Sequence, residues 1–292
     1  MRICITTVAD GAYQRYIPLW ALCVLRAYPD YAVRVFVRDD PGPQLQQGMA
    51  LLEYAGDFEV ITKALRGYRK VRRLGAFLRF LLFTEKRQHY WEPFDYVYIT
   101  DADMLMVRQE PSLHEQHIAH MEAIGLPYSD VMRDGEPRIV TGLLFASQAF
   151  ITGVMISATM YDQEFRLWGE GVLDTGRRIP DERLLYQIIR DSPIGLPPQH
   201  DAEADPLGRQ MSDPANYRER VFRPWHGINI GADALGGYAA SERPHWPFMQ
   251  EAVQQIDALL EEPLAQACYR LMDERQQRLL TNIITATKAA ME

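Results

Sequence analysis

Three short runs rich in β-branched and other apolar residues, RICITTVA (2–9), AVRVFVRDD (32–40) and FEVITKA (58–64), alternate with two stretches of helical character, RYIPLWALCVLRAY (15–28) and LQQGMALLEYA (45–55). This alternation is the tightest constraint on what the chain can fold into. A strand that is apolar at nearly every position must be covered on both faces, and parallel sheets achieve this by placing crossover helices on each side. The chain is therefore predicted to be α/β, a Rossmann-like, mainly parallel twisted sheet with helices on both faces. Turn residues support the division: Pro29-Asp30 ends the first helical stretch and Pro41-Gly42-Pro43 the second strand. At 292 residues the chain can build one large domain or two small ones. No linker divides it, so the expectation is a main domain over 1–240 and a helical extension, 241–292, packed on it.

Further along, RGYRKVRRLGAFLRFLLF (66–83) has Val71, Leu74, Leu78, Leu81 and Leu82 at helical spacing. Arg72 and Arg79 are seven apart, hence on one face, with the small residues Gly75 and Ala76 between them. Such a notch admits an anion; a solvated basic helix would look the same. A strand, FDYVYITDADMLMV (94–107), follows, then a helix near 112–120. The stretch 139–161 carries no charged residue and is long enough to span a membrane. Gln148, three Thr and two Ser interrupt it and no basic cluster flanks it, so two buried strands over 139–156 joined at Ser147-Gln148 are expected instead. Helices are expected around 157–170 and from Pro180-Asp181-Glu182. The region 191–216 reads as a long loop, and amphipathic helices fill the tail from 248. Those tail helices suit packing on the domain or a homodimer contact.

Charge and cysteine content narrow the setting. A net charge of −8 argues against nucleic acid as a partner, because phosphate binding needs surplus Lys and Arg. Cys4, Cys23 and Cys268 have neither zinc spacing nor a disulfide framework, which fits a reducing compartment. MRICITTVAD lacks the apolar core and cleavage site of a signal peptide, so a cytoplasmic location is expected.

The strand at 94–107 ends in Asp101 and Asp103. Alternation would aim both carboxylates to one side, with Ala102 opposite. Ligands of open α/β sheets gather at the carboxyl ends of strands. Two crowded carboxylates repel unless a proton or cation intervenes, and a hard cation such as Mg²⁺ or Mn²⁺ suits oxygen ligands and can bridge to a diphosphate. Exposed or helix-capping acids at a strand end, and a phosphatase of haloacid dehalogenase type, are the competing readings. The latter wants Thr or Val after the motif, where this chain has Met104-Leu105.

Six blocks in order resemble the GT-A-fold glycosyltransferases, most closely family eight, which includes glycogenin and bacterial lipopolysaccharide galactosyltransferases. They span roughly residues 1–235. ITTVADGAYQRYIPLWALCVLRAYPD resembles that family's first strand, nucleotide loop and helix, FLRFLLF its arginine-bearing helix, and DYVYITDADMLMV its metal strand. FITGVMIS resembles its F-N-[ST]-G-V strand, PDERLLYQII its D-Q-x-x-L-N helix, and WHGINIG its late H-x-x-G block. The resemblance implies a metal-dependent hexosyl transfer from a UDP-sugar to a hydroxyl acceptor, with retention of configuration. It implies that Tyr13 stacks on the uracil with Asp10 and Thr7 nearby, and that Arg79 contacts the diphosphate or donor sugar. Asp101, Asp103 and His226 would hold Mn²⁺ or Mg²⁺, Asp101 alternatively holding the ribose; a histidine ligand would favour manganese. Thr152 and Gly153 would line the sugar pocket. Asp181 and Glu182 would lie at the donor carbon, Glu182 as nucleophile or as electrostatic stabiliser, although both also suit ordinary helix-start chemistry.

Three departures bear on the resemblance. Thr152 stands where the family has Asn, Glu182 where it has Gln, and GINIGADALGG lacks the expected Lys. Glu182 is similar instead to the helix-start acid of blood-group-type galactosyltransferases. The rival readings are a sugar nucleotidyltransferase, for whose basic Gly-rich loop ADGAYQRY is a poor match, and a nucleotide-sugar-binding protein without turnover.

Overall fold

The computed structural model describes residues 1–38, 40–66, 68, 78–130, 132–133, 139–140, 143–168, 181–197, 226–231, 239 and 243–292. Strand β1 (Ile3–Ala9) is buried at all seven positions, as a central strand must be. It is flanked in parallel by β2 (Ala32–Val37) and β4 (Tyr96–Ile99), and β3 (Phe58–Ile61) adds in parallel outside β2. Two later strands run the other way or return: β9 (Leu144–Ser147) pairs antiparallel with β4, and β6 (Tyr128–Ser129) antiparallel with β9. The sheet order is β3-β2-β1-β4-β9-β6. Two small ribbons stand apart, β5 (Met104–Met106) with β10 (Gly227–Asn229), and β7 (Met132–Arg133) with β8 (Ile139–Val140). The expected α/β architecture with a mainly parallel sheet is present.

The helices are α1 (Ile17–Ala27), α2 (Pro43–Leu52), α3 (Leu113–Ile124), α4 (Gln148–Trp168), α5 (Asp181–Arg190), α6 (Pro247–Leu259), α7 (Pro263–Arg270) and α8 (Glu274–Met291). Along β1, Ile3, Ile5 and Ala9 face the cluster that contains α1, while Cys4 and Val8 face a second cluster built on α4 and α5. Helix α1 is buried at ten of its eleven positions, because the sheet covers one side and the C-terminal helices the other. Phe248, Val253, Ile256, Ala265, Cys268, Leu280 and Ile283 share that core. All three cysteines are buried and free. Among the described residues no helix is long and apolar enough to cross a membrane.

One expectation needs correction. The second half of 139–156 is not a strand: α4 starts at Gln148 and continues unbroken to Trp168. Phe150, Ile151, Val154 and Ala158 are the residues it buries, a helical spacing, while Thr152 and Ile156 face outward. The arginine-rich stretch lies mostly outside the described residues, Arg72, Gly75 and Ala76 included; its described end has Leu78 in helical conformation, then Arg79 and a 3-10 turn, Phe80–Phe83.

Candidate functional site

In an open α/β sheet the crevice forms where the strand order reverses, outside the carboxyl ends of the two diverging strands. Here the order 3-2-1-4 puts that point between β1 and β4. The residues leaving those strands are Asp10 and the Thr100–Asp103 segment.

Asp10 leads into a 3-10 turn, Gly11–Arg15. The turn is closed by Tyr13 N–H donating to the Asp10 carbonyl and Tyr16 N–H to that of Tyr13, both at 3.1 Å. Gly11 adopts φ +54°, where a side chain would be strained. The Asp10 carboxylate accepts from Nη2 of Arg38, a buried arginine at the end of β2, with both oxygens at 3.1 Å. Tyr13 is half exposed at 52%, with its ring 5.8 Å from that of buried Tyr16. Thr7 is wholly buried, two residues short of the strand end.

Strand β4 stops at Ile99, so the two aspartates are not carried on a continuing strand. They sit in a turn in which Met104 N–H donates to the Asp101 carbonyl at 3.2 Å and Ala102 packs inward. The expectation from strand alternation is corrected accordingly. Asp101, with its side chain about one-third exposed (37%), is paired with the buried guanidinium of Arg79. That guanidinium also lies over the Phe80 ring, 4.7 Å from its centroid.

The segment carrying Arg79 is fixed by a neighbouring buried arginine. Arg87 donates to the carbonyls of Ala64 and Leu81, to Thr84 and Tyr68, and to Asp162 on α4, at 2.8–3.1 Å. Burial draws the Arg87 pKa down to about 10.

Asp103 is 8% exposed and is held from the β10 side. Asn229 Nδ2 donates to Asp103 Oδ1 at 3.3 Å, and Ile230 N–H to the Asp103 carbonyl at 2.9 Å. Gly231 backs the other oxygen, so closely that a Cβ there would fall 2.5 Å from Asp103 Oδ2. Burial, and secondarily the charge of Asp103, raise the Tyr16 phenol to about 12.

His226 does not join this corner. Its Nδ1 bonds Gln109 Oε1 at 2.8 Å and its Nε2 meets His117 Nε2 at 2.9 Å, inside a buried network that continues through Ser129 to His120. With Gln109 Oε1 as the acceptor, His226 donates to it from Nδ1. Burial and the adjacent histidines hold the His117 pKa well below its ordinary value, so the ring is neutral. Expected as a metal ligand, His226 has both ring nitrogens engaged within the core in this structure. Asn229, three residues on, is the β10 residue that reaches Asp103.

The remaining expected residues lie elsewhere. Gln148 at the start of α4 donates to the carbonyls of Trp91 and Phe94, just before β4 begins. Thr152 and Gly153 therefore sit toward the opposite end of the sheet from Asp101, and Gly153 packs under Ile194. They do not line the crevice. Helix α5 runs antiparallel to α4, since Ser157 bonds the Ile188 carbonyl while Gly153 meets Ile194. Its Asp181–Glu182 start is thus directed toward the end of α4 that is remote from Gln148. Among the described residues no group of three or more His, Cys, Asp or Glu is arranged as a metal cluster. Residues that sequence reasoning missed are Arg38, Tyr16, Asn229 and Gly231. Tyr16, three after Tyr13 in one turn, left a local signal, and Asn229 and Gly231 lie within the WHGINIG block.

No protein-family profile matches the chain, and no curated protein matches it. Solved structures do. The glycosyltransferase GlyE of Streptococcus pneumoniae is similar at 15% identity and TM-score 0.40, over 65% of this chain and 43% of that one. The galactosyltransferase LgtC, solved with donor and acceptor sugar analogues, is similar at 18% identity and TM-score 0.40, over 64% and 70%. The 4-diphosphocytidyl-2C-methyl-D-erythritol synthase of Anaerococcus prevotii is similar at 10% identity and TM-score 0.39, over 65% and 82%. The match thus spans less than half the length of GlyE.

Proposed function

We propose that the protein is a glycosyltransferase of GT-A type that moves a hexose from a UDP-sugar to a hydroxyl acceptor, with a divalent cation and retention of configuration. The observation that supports this reading is the convergence at the β1–β4 switch point. A carboxylate–guanidinium pair, Asp101–Arg79, stands there with the buried Asp103, beside the loop that presents Asp10 and the half-exposed Tyr13. That is an arrangement for a flat base at one end and a diphosphate at the other.

The residues fit a hard cation held by oxygen. Asp103 and the exposed part of Asp101 would hold it, with Asn229 holding Asp103 in place, and remaining positions left to diphosphate oxygens and water. They do not fit a set that includes His226, so nothing in the ligand chemistry favours manganese over magnesium. When bound, the cation supplies Lewis-acid neutralisation of charge on the departing nucleotide.

The chain's own groups do the rest. Arg79, fixed by Asp101 and the Phe80 ring, offers a preorganised cation to the leaving diphosphate, an interaction worth more in a dry site than in water. Arg38 holds the Asp10 carboxylate oriented as an acceptor for an N–H at the polar edge of the base. Tyr13 provides the stacking face. Glu182, with Asp181, is assigned to the donor carbon, to stabilise positive charge developing there or to attack it.

UDP release from UDP-sugars in the presence of Mn²⁺ or Mg²⁺, abolished by EDTA, is the expected result. Pyrophosphate release that requires UTP would assign nucleotidyl transfer instead. UDP binding with no turnover on any donor would reduce the protein to a binding module.

A further inference from the structure

Helix α8 begins against the loop that carries Asp10 and Tyr13, more than 250 residues away in sequence. Asp273 caps the helix: its Oδ1 accepts from Gln276 N–H at 2.8 Å, and Gln276 Oε1 accepts from Asp273 N–H at 3.0 Å. Both side chains also reach outward. Asp273 Oδ2 pairs with Arg15 Nη1 at 3.4 Å, and Gln276 Nε2 donates to the Ala12 carbonyl at 3.5 Å. The Gln276 carboxamide also lies close enough to the Tyr16 phenol to favour its ionised form.

We propose that the start of α8, through Gln276, is a clamp that holds the Gly11–Tyr16 loop in its nucleotide-receiving form, making the C-terminal segment part of the donor site. The inference rests on the donor-site reading given above. The hydrogen-bond accounting supports it. The Gln276 carboxamide has one oxygen, used by the cap, and its amide nitrogen donates to the loop at Ala12. The Arg15–Asp273 pair is partly exposed, at 3.4 Å, and contributes little alone, so the buried Gln276 carries the connection.

The loop needs such support. Gly11, Ala12 and Tyr13 are exposed, and on its far side the loop is tied through Gln14 Oε1, which accepts from Gly42 N–H at 2.8 Å. Tyr16 connects the clamp to the chemistry, because its ring lies beside that of Tyr13 and its phenol feels the charge of Asp103. Gln276 is thus a positioning residue for the base platform and the charged corner together. A platform held in its bound conformation loses less freedom when the nucleotide arrives.

Gln276→Glu separates clamp from cap. Glutamate is the residue a capping box prefers at this position, so the helix start survives, but both N–H donors are lost. The dissociation constant for UDP in saturating Mn²⁺, measured by calorimetry, is expected to rise about fivefold to tenfold, the worth of one to two net hydrogen bonds. The melting temperature should stay near that of the unaltered protein. In turnover, KM for the donor should rise while KM for the acceptor and kcat hold. Tyr16→Phe should raise the UDP dissociation constant in the same direction. Unchanged UDP affinity in Gln276→Glu, with the unaltered protein binding UDP, overturns the clamp and leaves the donor site standing. Failure of the unaltered protein to bind UDP overturns the donor site and the clamp with it.

Discussion

Gly231→Ala tests the charged corner without touching a proposed ligand. The added methyl would fall 2.5 Å from Asp103 Oδ2 and 3.4 Å from Asn229 Oδ1. An ordinary carbon–oxygen contact is about 3.4 Å, so the carboxylate oxygen must retreat by roughly 0.9 Å. Gly231 has no left-handed backbone, and the atom displaced is the end of a side chain, so the fold absorbs the change for less than about 1 kcal/mol. Binding has no such tolerance. A misplacement of roughly 1 Å at a preorganised site costs on the order of a hundredfold at worst, and tenfold to a hundredfold corresponds to about 1.4–2.8 kcal/mol. Calorimetric titration of UDP with and without Mn²⁺ should show the metal-dependent part of the affinity falling by that factor, with the weak metal-free affinity unchanged. A urea melt on the same samples checks the fold. Metal-dependent affinity within twofold of the unaltered protein would show that the position of Asp103 is immaterial and would refute the metal corner as drawn.

Further outcomes follow from the same contacts. His226→Gln should lower stability by about 2–4 kcal/mol, since it strips a buried hydrogen-bonded ring from the His117–Gln109 network. It should leave the cation dependence of UDP binding in the folded fraction intact; loss of that dependence would restore His226 as a ligand. His117 is held neutral in the fold, with its pKa depressed, so the unfolded chain binds the extra proton as pH falls. Its contribution to stability is therefore complete above the unfolded value near 6.5 and is lost as pH falls below it, at up to about 1.4 kcal/mol per pH unit. Urea midpoints between pH 7.5 and 5 should show this slope, and His117→Phe should flatten it. Arg38→Met removes the cation that orients Asp10 and should raise the UDP dissociation constant about tenfold, the worth of one charged hydrogen bond.

Much of the fold was legible because local signals and tertiary structure agree. The runs at 2–9, 32–40 and 58–64 became β1, β2 and β3, and Pro43 opens α2 as a first-turn proline does. The stretch after Ser147 misled because it is apolar on both its buried and exposed sides: Ile156 is 70% exposed and Met160 59%, so no polar face marks the helix. The spacing 150, 151, 154, 158 was the surviving signal. For the site, strand alternation was the wrong instrument at Asp101 and Asp103, where a turn begins immediately after Ile99. His226 could not be read locally at all. Its partners, Gln109 and His117, are more than a hundred residues away, and a histidine is a ligand or a core hydrogen-bonding group according to what tertiary packing brings to its nitrogens. The same limit hid Arg38 and Gln276, whose partners Asp10 and Ala12 also come from distant segments.

The central claim is that a cation bound at the end of β4 tethers the diphosphate of a nucleotide sugar. Crystals grown with UDP and MnCl₂ and measured at the manganese absorption edge address it directly. An anomalous peak at oxygen-ligand distance from Asp103, with the diphosphate on its far side and His226 still bonded to His117, is the predicted result. UDP seated there without a peak, or a peak centred on His226, would contradict it.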